Sequence, residues 1–160
     1  MEVKFSFRDL KLVESHFKLN TEFEFKRKTP VEITTEIDVS YHGKNGFVNV
    51  TMSIDSVNET QPFIFNLKIL GVFEFSRLPS KEELDRIVNI NCAAIIFPYA
   101  REIVGDLTRR ASLPPFHMDP LNFVALYERT KSLPPQRPRI KRIRKKEVKS
   151  SKVEEIGKKE

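Results

Sequence analysis

One cysteine and three histidines are the side chains in this 160-residue sequence best suited to nucleophilic or metal chemistry near neutral pH. They are Cys92, His16, His42 and His117, and they are scattered. A structural zinc site needs close Cys/His pairs, and none is present, so no metal is expected. A nucleophilic Cys92 would need a neighbouring base. Asn91, Ala93, Ala94 and Ile95 around it read instead as buried helix, which makes Cys92 a packed small residue. A single cysteine also excludes an intrachain disulfide. His42 falls in a turn and His117 in a proline-rich loop, where solvated surface is the simpler reading. Glu82 and Glu83 point to different faces of a helix start and complement its dipole. With five glycines there is no Gly-rich phosphate loop, and neither G-x-S-x-G nor H-E-x-x-H occurs. The expectation is a protein that is not an enzyme and takes no cofactor.

What the sequence has in surplus is apolar ring surface and, separately, positive charge. Thirteen phenylalanines must find partners in a chain this short. One reading is a well-filled core. The sharper one is a subunit interface or an exposed groove for apolar segments of a partner. The net charge of +6 is not spread evenly: residues 137–160 hold 11 basic and 4 acidic side chains, +7, which leaves −1 for the other 136. That tail lacks aromatic residues for stacking bases, so nucleic-acid binding through it would be nonspecific.

The elements that must position these residues read as strands, then helices. Val31, Ile33, Ile37, Val39 and Tyr41 share one parity, with Glu32, Glu36 and Asp38 on the other, as in a half-buried strand. His42 to Gly46 supplies a hairpin turn, after which Val48, Val50, Met52 and Ile54 alternate again. Phe63, Phe65, Leu67 and Ile69 form a third alternating run, resuming at Phe73 and Phe75 beyond Gly71, which marks a bulge or bend. Near the start, Val3, Phe5 and Phe7 alternate, parity switches to Leu10 and Leu12, and it switches back at Phe17 and Leu19. Such switches signal bulges or two short strands. A meander of four antiparallel strands is therefore expected. Ser80-Lys81-Glu82-Glu83 fits a capping box opening a helix that runs to Arg110, kinked or broken before Pro98. Asp119-Pro120 reads as cap and first turn of a second helix ending near Lys131. No signal peptide or run of ~18 apolar residues is visible, and the cytosol is the expected compartment. The fold class is α+β: a four-stranded antiparallel sheet followed by two helices over residues 1–133, with a basic tail over 134–160 whose composition predicts disorder.

A resemblance sharpens this. Phe97-Pro98-Tyr99-Ala100-Arg101-Glu102 within the first helix, and Pro120-Leu121-Asn122-Phe123-Val124-Ala125-Leu126 at the second, resemble the two most diagnostic segments of the SecB family. Residues 63–73, FIFNLKILGVF, are similar to the family's last long strand, and the resemblance extends from Val3 to Lys131. It implies an ATP-independent chaperone that holds non-native chains in apolar grooves, keeps them competent for export, and assembles as a homotetramer, a dimer of dimers, without membrane insertion.

Carried over residue by residue, the resemblance puts client binding on Phe123, Leu126 and Tyr127 in the second helix, and on Leu113, Phe116 and Met118 in the loop before it. Phe63 and Phe65 of the last strand join them. Oligomer contacts fall on Phe5, Phe7, Ile90, Asn91 and Cys92. Export-type relatives dock the SecA motor on an acidic sheet face. Here Glu14 and Ile64 align with that surface, but Lys18 and Asn66 stand where acids are expected, which weakens a charge-steered contact. The clients would be unfolded preproteins or, in a chaperone dedicated to a toxin–antitoxin pair, an antitoxin segment. The competing class is a nucleic-acid- or ribosome-associated protein acting through the basic tail.

Overall fold

The fold is given by a computed structural model that describes residues 3–26, 31–58 and 60–132; the tail expected over 134–160 lies outside the described residues. Four strands, β1 (Phe5–Leu19), β2 (Thr35–Lys44), β3 (Phe47–Ser56) and β4 (Phe63–Phe75), form one sheet. Three helical pieces run on without interruption: α1 (Lys81–Ile87), a π-helical turn (Val88–Cys92) and α2 (Ala93–Arg110). A separate helix, α3 (Phe123–Ser132), follows.

Every pairing is antiparallel, but the strand order is β1-β4-β3-β2 rather than a plain meander. Only β2, β3 and β4 follow one another in space; β1 lies at the far edge against β4. The aromatic surplus explains this choice. Phe5 is opposite Phe75, Phe7 opposite Phe73 and Phe17 opposite Phe65, all on the helix-facing side. The Phe5–Phe75 and Phe17–Phe63 rings stack at 5.3 and 5.5 Å. Such cross-strand ring pairs stabilise a sheet beyond the area they bury. Of the thirteen phenylalanines, eleven are buried or half-buried, and only Phe25 and Phe47 are exposed.

The parity switches in β1 are two register shifts, between Phe7 and Asp9 and between Leu12 and Glu14. Each extra residue returns the apolar set to the helix side. The β2–β3 hairpin closes on Asn45-Gly46 with φ of 53° and 79°, the pair of positive values a two-residue hairpin loop requires. Gly71, by contrast, sits in regular register between Leu10 and Val50, so it marks no bulge. A Cβ there would lie 2.7 Å from Ile96 Cδ1 and 2.9 Å from Phe73 Cε2, so the glycine is where the helix presses onto the sheet.

The helical run starts as expected, with Ser80 Oγ accepting from the Glu83 amide at 3.3 Å. Its distortion is the π turn, where the Ala93 amide reaches back to the Val88 carbonyl; α2 then continues through Pro98. Over Lys81–Arg110 the run is long and apolar enough to cross a membrane by length and composition, contrary to the reading from sequence. Its apolar stripe, Val88, Cys92, Ile96, Ala100 and Val104, is instead buried in the core with β3 and β4.

Candidate functional site

Two side chains on α2, two turns apart, shape the connection to α3. Thr108, fully buried, accepts the Phe116 amide on Oγ1 at 2.9 Å and donates to the Gly105 carbonyl at 2.9 Å. Arg101 Nε donates to the Met118 carbonyl at 2.6 Å. Between these anchors, Pro114-Pro115 keeps the chain extended, and Ser112 makes the turn with φ of 60°. Phe116 and Met118 are thereby held opposite the segment that leads into β2. The space between is a cavity of about 590 Å³, with Ile33 and Ile37 on one wall, Phe116, Met118 and Leu121 on the other, and Phe97 between them.

A second, smaller cavity of about 150 Å³ continues from it, sharing Ile37, between β2 and α3. Asn122, not Asp119, caps α3, its Oδ1 accepting the Ala125 amide at 3.1 Å. The helix therefore begins three residues later than the sequence suggests, because Asp119 and Pro120 belong to the wall of the larger cavity or its approach. Phe123 meets Phe97 edge-to-face at 5.5 Å. Tyr127 donates its hydroxyl proton to Asp85 Oδ2 at 3.0 Å, and Lys131 lies 4.9 Å from the Tyr127 ring centre and 3.7 Å from Glu82. Asp85 also accepts from Asn89 Nδ2 at 3.2 Å. Burial and the facing Asp85 carboxylate raise the pKa of Tyr41 on β2, so one carboxylate ties β2, α1 and α3 together.

The eight residues expected at a binding groove are not equivalent. Phe116 and Met118 line the larger cavity, while Phe123, Leu126 and Tyr127 line the smaller. Phe63 and Phe65 are buried in the sheet beneath; Phe63 supports Phe116 ring to ring at 5.7 Å and has no place on the groove surface. Leu113 packs half-buried against the core. Among the residues assigned to subunit contacts, Phe5, Phe7 and Ile90 are half-buried and Asn91 is exposed. Cys92 is fully buried inside the protomer and offers no surface to a neighbour, and its burial pushes the thiol pKa up to about 12. Ile64 and Glu14 lie on the opposite face of the sheet. There Glu14 pairs with Lys68 at 3.3 Å, Lys18 is opposite Ile64, and Asn66 donates to Asp55 at 2.7 Å.

Reasoning from sequence missed the wall formed by Ile33 and Ile37, which read only as strand core, and it missed the anchors Thr108 and Asp85. Nothing in their sequence context distinguishes this threonine or this aspartate from ordinary helix positions. The linings of the two cavities carry Glu32, His117 and Asp119 and, among the described residues, no Lys or Arg; Asp38, between Ile37 and Val39 on β2, is on the strand face opposite to them. Nor does any group of three or more His, Cys, Asp or Glu among the described residues have metal-holding geometry. The arrangement can bury extended apolar chain.

Comparison with known proteins gives a consistent answer. The family described as preprotein translocase subunit SecB matches residues 2–133. Protein-export protein SecB of Acidithiobacillus ferrooxidans is 32% identical over 93 residues, 56% of this chain and 62% of that protein. The protein of the same name from Methylobacillus flagellatus is 38% identical over 85 residues, 52% of this chain and 54% of that one. The chain thus spans between half and two thirds of the length of these curated relatives. Among solved structures, a SecB-like chaperone from Mycobacterium tuberculosis, in complex with a ChAD peptide from an antitoxin, superposes with a TM-score of 0.64 at 21% identity. That match covers 73% of this chain and 90% of that one, and it shows a shared fold.

Proposed function

The chain belongs to the SecB family, and on that premise we propose that it is an ATP-independent holdase that binds unfolded polypeptide in the groove between β2, the α2–α3 connection and α3. The observation that carries this reading is the 590 Å³ cavity walled by Ile33, Ile37, Phe97, Phe116, Met118 and Leu121 and continued by the smaller one at α3. Covering apolar client side chains there gains roughly 25 cal/mol per Å² of area removed from water, without bond making or nucleotide. Several weak contacts along one groove give a client avidity without requiring a fixed sequence. The protein works in the cytosol as a dimer of dimers. Leu12 and Val13 on β1, 50% and 55% exposed, and Tyr99 on α2 supply apolar surface for that assembly beside Phe7.

Two duties fit such a groove. Export is favoured by the curated relatives described above, which carry the name protein-export protein SecB. On the far sheet face Glu14 is paired with Lys68, with Lys18 and Asn66 beside it, while Glu36 and Asp38 on β2 present acid for a basic motor to grip. Holding an antitoxin is the second reading, favoured by the structural neighbour that carries an antitoxin peptide. The test is suppression of aggregation of a chemically unfolded client without ATP. Replacing the exposed Leu121 and Leu126 by Ser should weaken client binding while leaving a particle near four times 18.7 kDa. Unchanged client affinity in a correctly assembled double variant would remove the groove from the mechanism.

A further inference from the structure

Besides Tyr127, two side chains with a polar oxygen or nitrogen are buried among the described residues, Thr108 and Gln61. Thr108 holds the wall of the groove that carries Phe116, and Gln61 reaches the other wall. It lies in the connection between β3 and β4, 2% exposed, and both ends of its amide are used. Oε1 accepts the Thr34 amide, and Nε2 donates to the Asn58 carbonyl at 2.8 Å. A backbone N–H can only donate and a carbonyl can only accept, so this pair of partners calls for a side-chain amide and fixes its orientation. The connection is itself fastened to the end of β1. Asn20 Nδ2 donates to the Gln61 carbonyl at 3.0 Å, and the Asn20 amide donates to the Pro62 carbonyl at 2.8 Å.

The local turn does not require Gln61. Asn58 Oδ1 already closes it by accepting the Thr60 amide at 3.0 Å and the Thr60 hydroxyl at 2.7 Å. The bond to Thr34 spans 27 positions and ends on the segment that enters β2. Residues 31–34 precede the sheet ladder, which begins at Thr35. Their backbone is tied at Thr34, whose carbonyl accepts the Val57 amide at 3.1 Å and whose amide binds Gln61. Ile33, next to it, is half-buried on the larger cavity of the groove. Val31 and Glu32 line that cavity and also a further one of about 270 Å³, which Gln61 lines as well. The segment therefore has open space against it in two cavities, and Gln61 braces it.

Resting on the groove reading above, we infer that Gln61 is a positioning residue for client binding, holding Thr34 so that Ile33 stands ready as a wall of the groove. A wall that is ordered beforehand does not have to be ordered by the client, and the affinity is higher by that amount. With the bond gone, Ile33 and its neighbours gain freedom in the empty protein, and each client must fix them again.

The test compares the full chain with Gln61→Met, which keeps a long side chain of similar size and deletes both hydrogen bonds. The probe is a dye-labelled, unstructured peptide containing Leu, Phe and Tyr, and its dissociation constant is measured without denaturant on folded protein. Amide exchange at Thr34 should accelerate, and the dissociation constant should rise about 2- to 10-fold, the factor that ordering one further side chain represents. A purely structural role lowers stability but leaves the affinity of the folded protein alone, so affinity is the deciding readout. The substitution is then repeated in an Ile33→Ala background, where it should change the affinity by less than about twofold because the residue it acts through is gone. If the Met variant does not assemble, Gln61→Asn takes its place with the same expectations, since it keeps an amide but is one carbon too short to reach both partners. An unchanged dissociation constant, or an equal loss in both backgrounds, would overturn the positioning role while leaving the groove intact. If the unaltered chain does not bind the probe, the groove reading fails and this inference with it.

Discussion

Thr108→Val tests how the groove wall is held in place. The substitution preserves shape and leaves no cavity, but it deletes the oxygen that accepts the Phe116 amide at 2.9 Å. Thr108 is fully buried, and no water can readily replace that oxygen at the helix surface. An amide deprived of its partner in such a place costs about 1–3 kcal/mol. The Leu113 amide still bonds the Thr108 carbonyl at 3.1 Å and Arg101 still holds the Met118 carbonyl, so the connection should loosen between its anchors without detaching. Urea unfolding should show the unfolding free energy lowered by that amount, seen as a lower midpoint at an unchanged slope. Amide exchange should accelerate at Phe116 more than along β3. Client affinity should fall several-fold, because Phe116 and Met118 must be ordered again when a client binds. Thr108→Ser keeps the oxygen and loses one methyl, a cost of about 1 kcal/mol or less, and should retain both the slow Phe116 amide and the client affinity. If the serine and valine variants lose client affinity equally, the hydrogen bond does not position the wall and the reasoning fails.

Other outcomes follow from single contacts. Gly71→Ala places a carbon 2.7 Å from Ile96 Cδ1, and the shift this forces between sheet and α2 should cost about 1–3 kcal/mol in chemical unfolding; an unaltered midpoint would mean that Ile96 moves freely. Tyr127→Phe removes the bond to Asp85 and should lower stability by about 1–2 kcal/mol. It should also speed tryptic cleavage after Arg129, and cleavage at the original rate would show that α3 is held by Phe123 alone. The Cys92 thiol, pushed up from 9.0 to about 12 by burial, stays protonated in the folded protein while the unfolded chain ionises. Its contribution is therefore complete below pH 9 and is lost as pH rises toward 12, at a slope of about 1.4 kcal/mol per unit. Cys92→Ala should flatten the stability profile in that window, and a profile of unchanged slope would assign the loss to other groups. Native Cys92 should also resist alkylation at pH 8 until urea is added.

Period-two alternation located all four strands because each buries one face only, and a half-buried strand writes that face into its sequence. Even the two extra residues in β1 were readable, since a parity switch has few other physical causes. Pairing order was not readable in this way. Alternation says which residues face the core but not which strand lies alongside, and β1 found β4 through rings that any neighbour might have used. Gly71 was noticed for the wrong reason, because a missing side chain serves a bulge and a close approach equally well. The capping serine at position 80 was legible from its own neighbours, whereas Asn122 was masked by Asp119-Pro120, an equally good local signal. For the groove, the family resemblance pointed to the connection and α3, and the structure places Phe116, Met118, Phe123, Leu126 and Tyr127 on the two cavities. The opposite wall and the anchors Thr108 and Asp85 depend on contacts between residues distant in sequence. Arg101, 17 positions from the carbonyl it holds, is one such contact.

The two register shifts in β1 bear on the hazard of an open sheet edge. With 15 residues, β1 is the longest strand and lies at an edge of the sheet, where a bare row of amides and carbonyls invites further strands to add. The shifts divide its ladder into runs of which the longest, Glu14 to Leu19, is six residues, and Lys11, Glu14 and Lys18 put alternating charge along it. Until subunit assembly covers that edge, a stray extended chain meeting it finds broken register and mismatched charge instead of a template. On the holdase reading, an edge that templates no further strands keeps a protein that gathers apolar segments at one surface from polymerising at another.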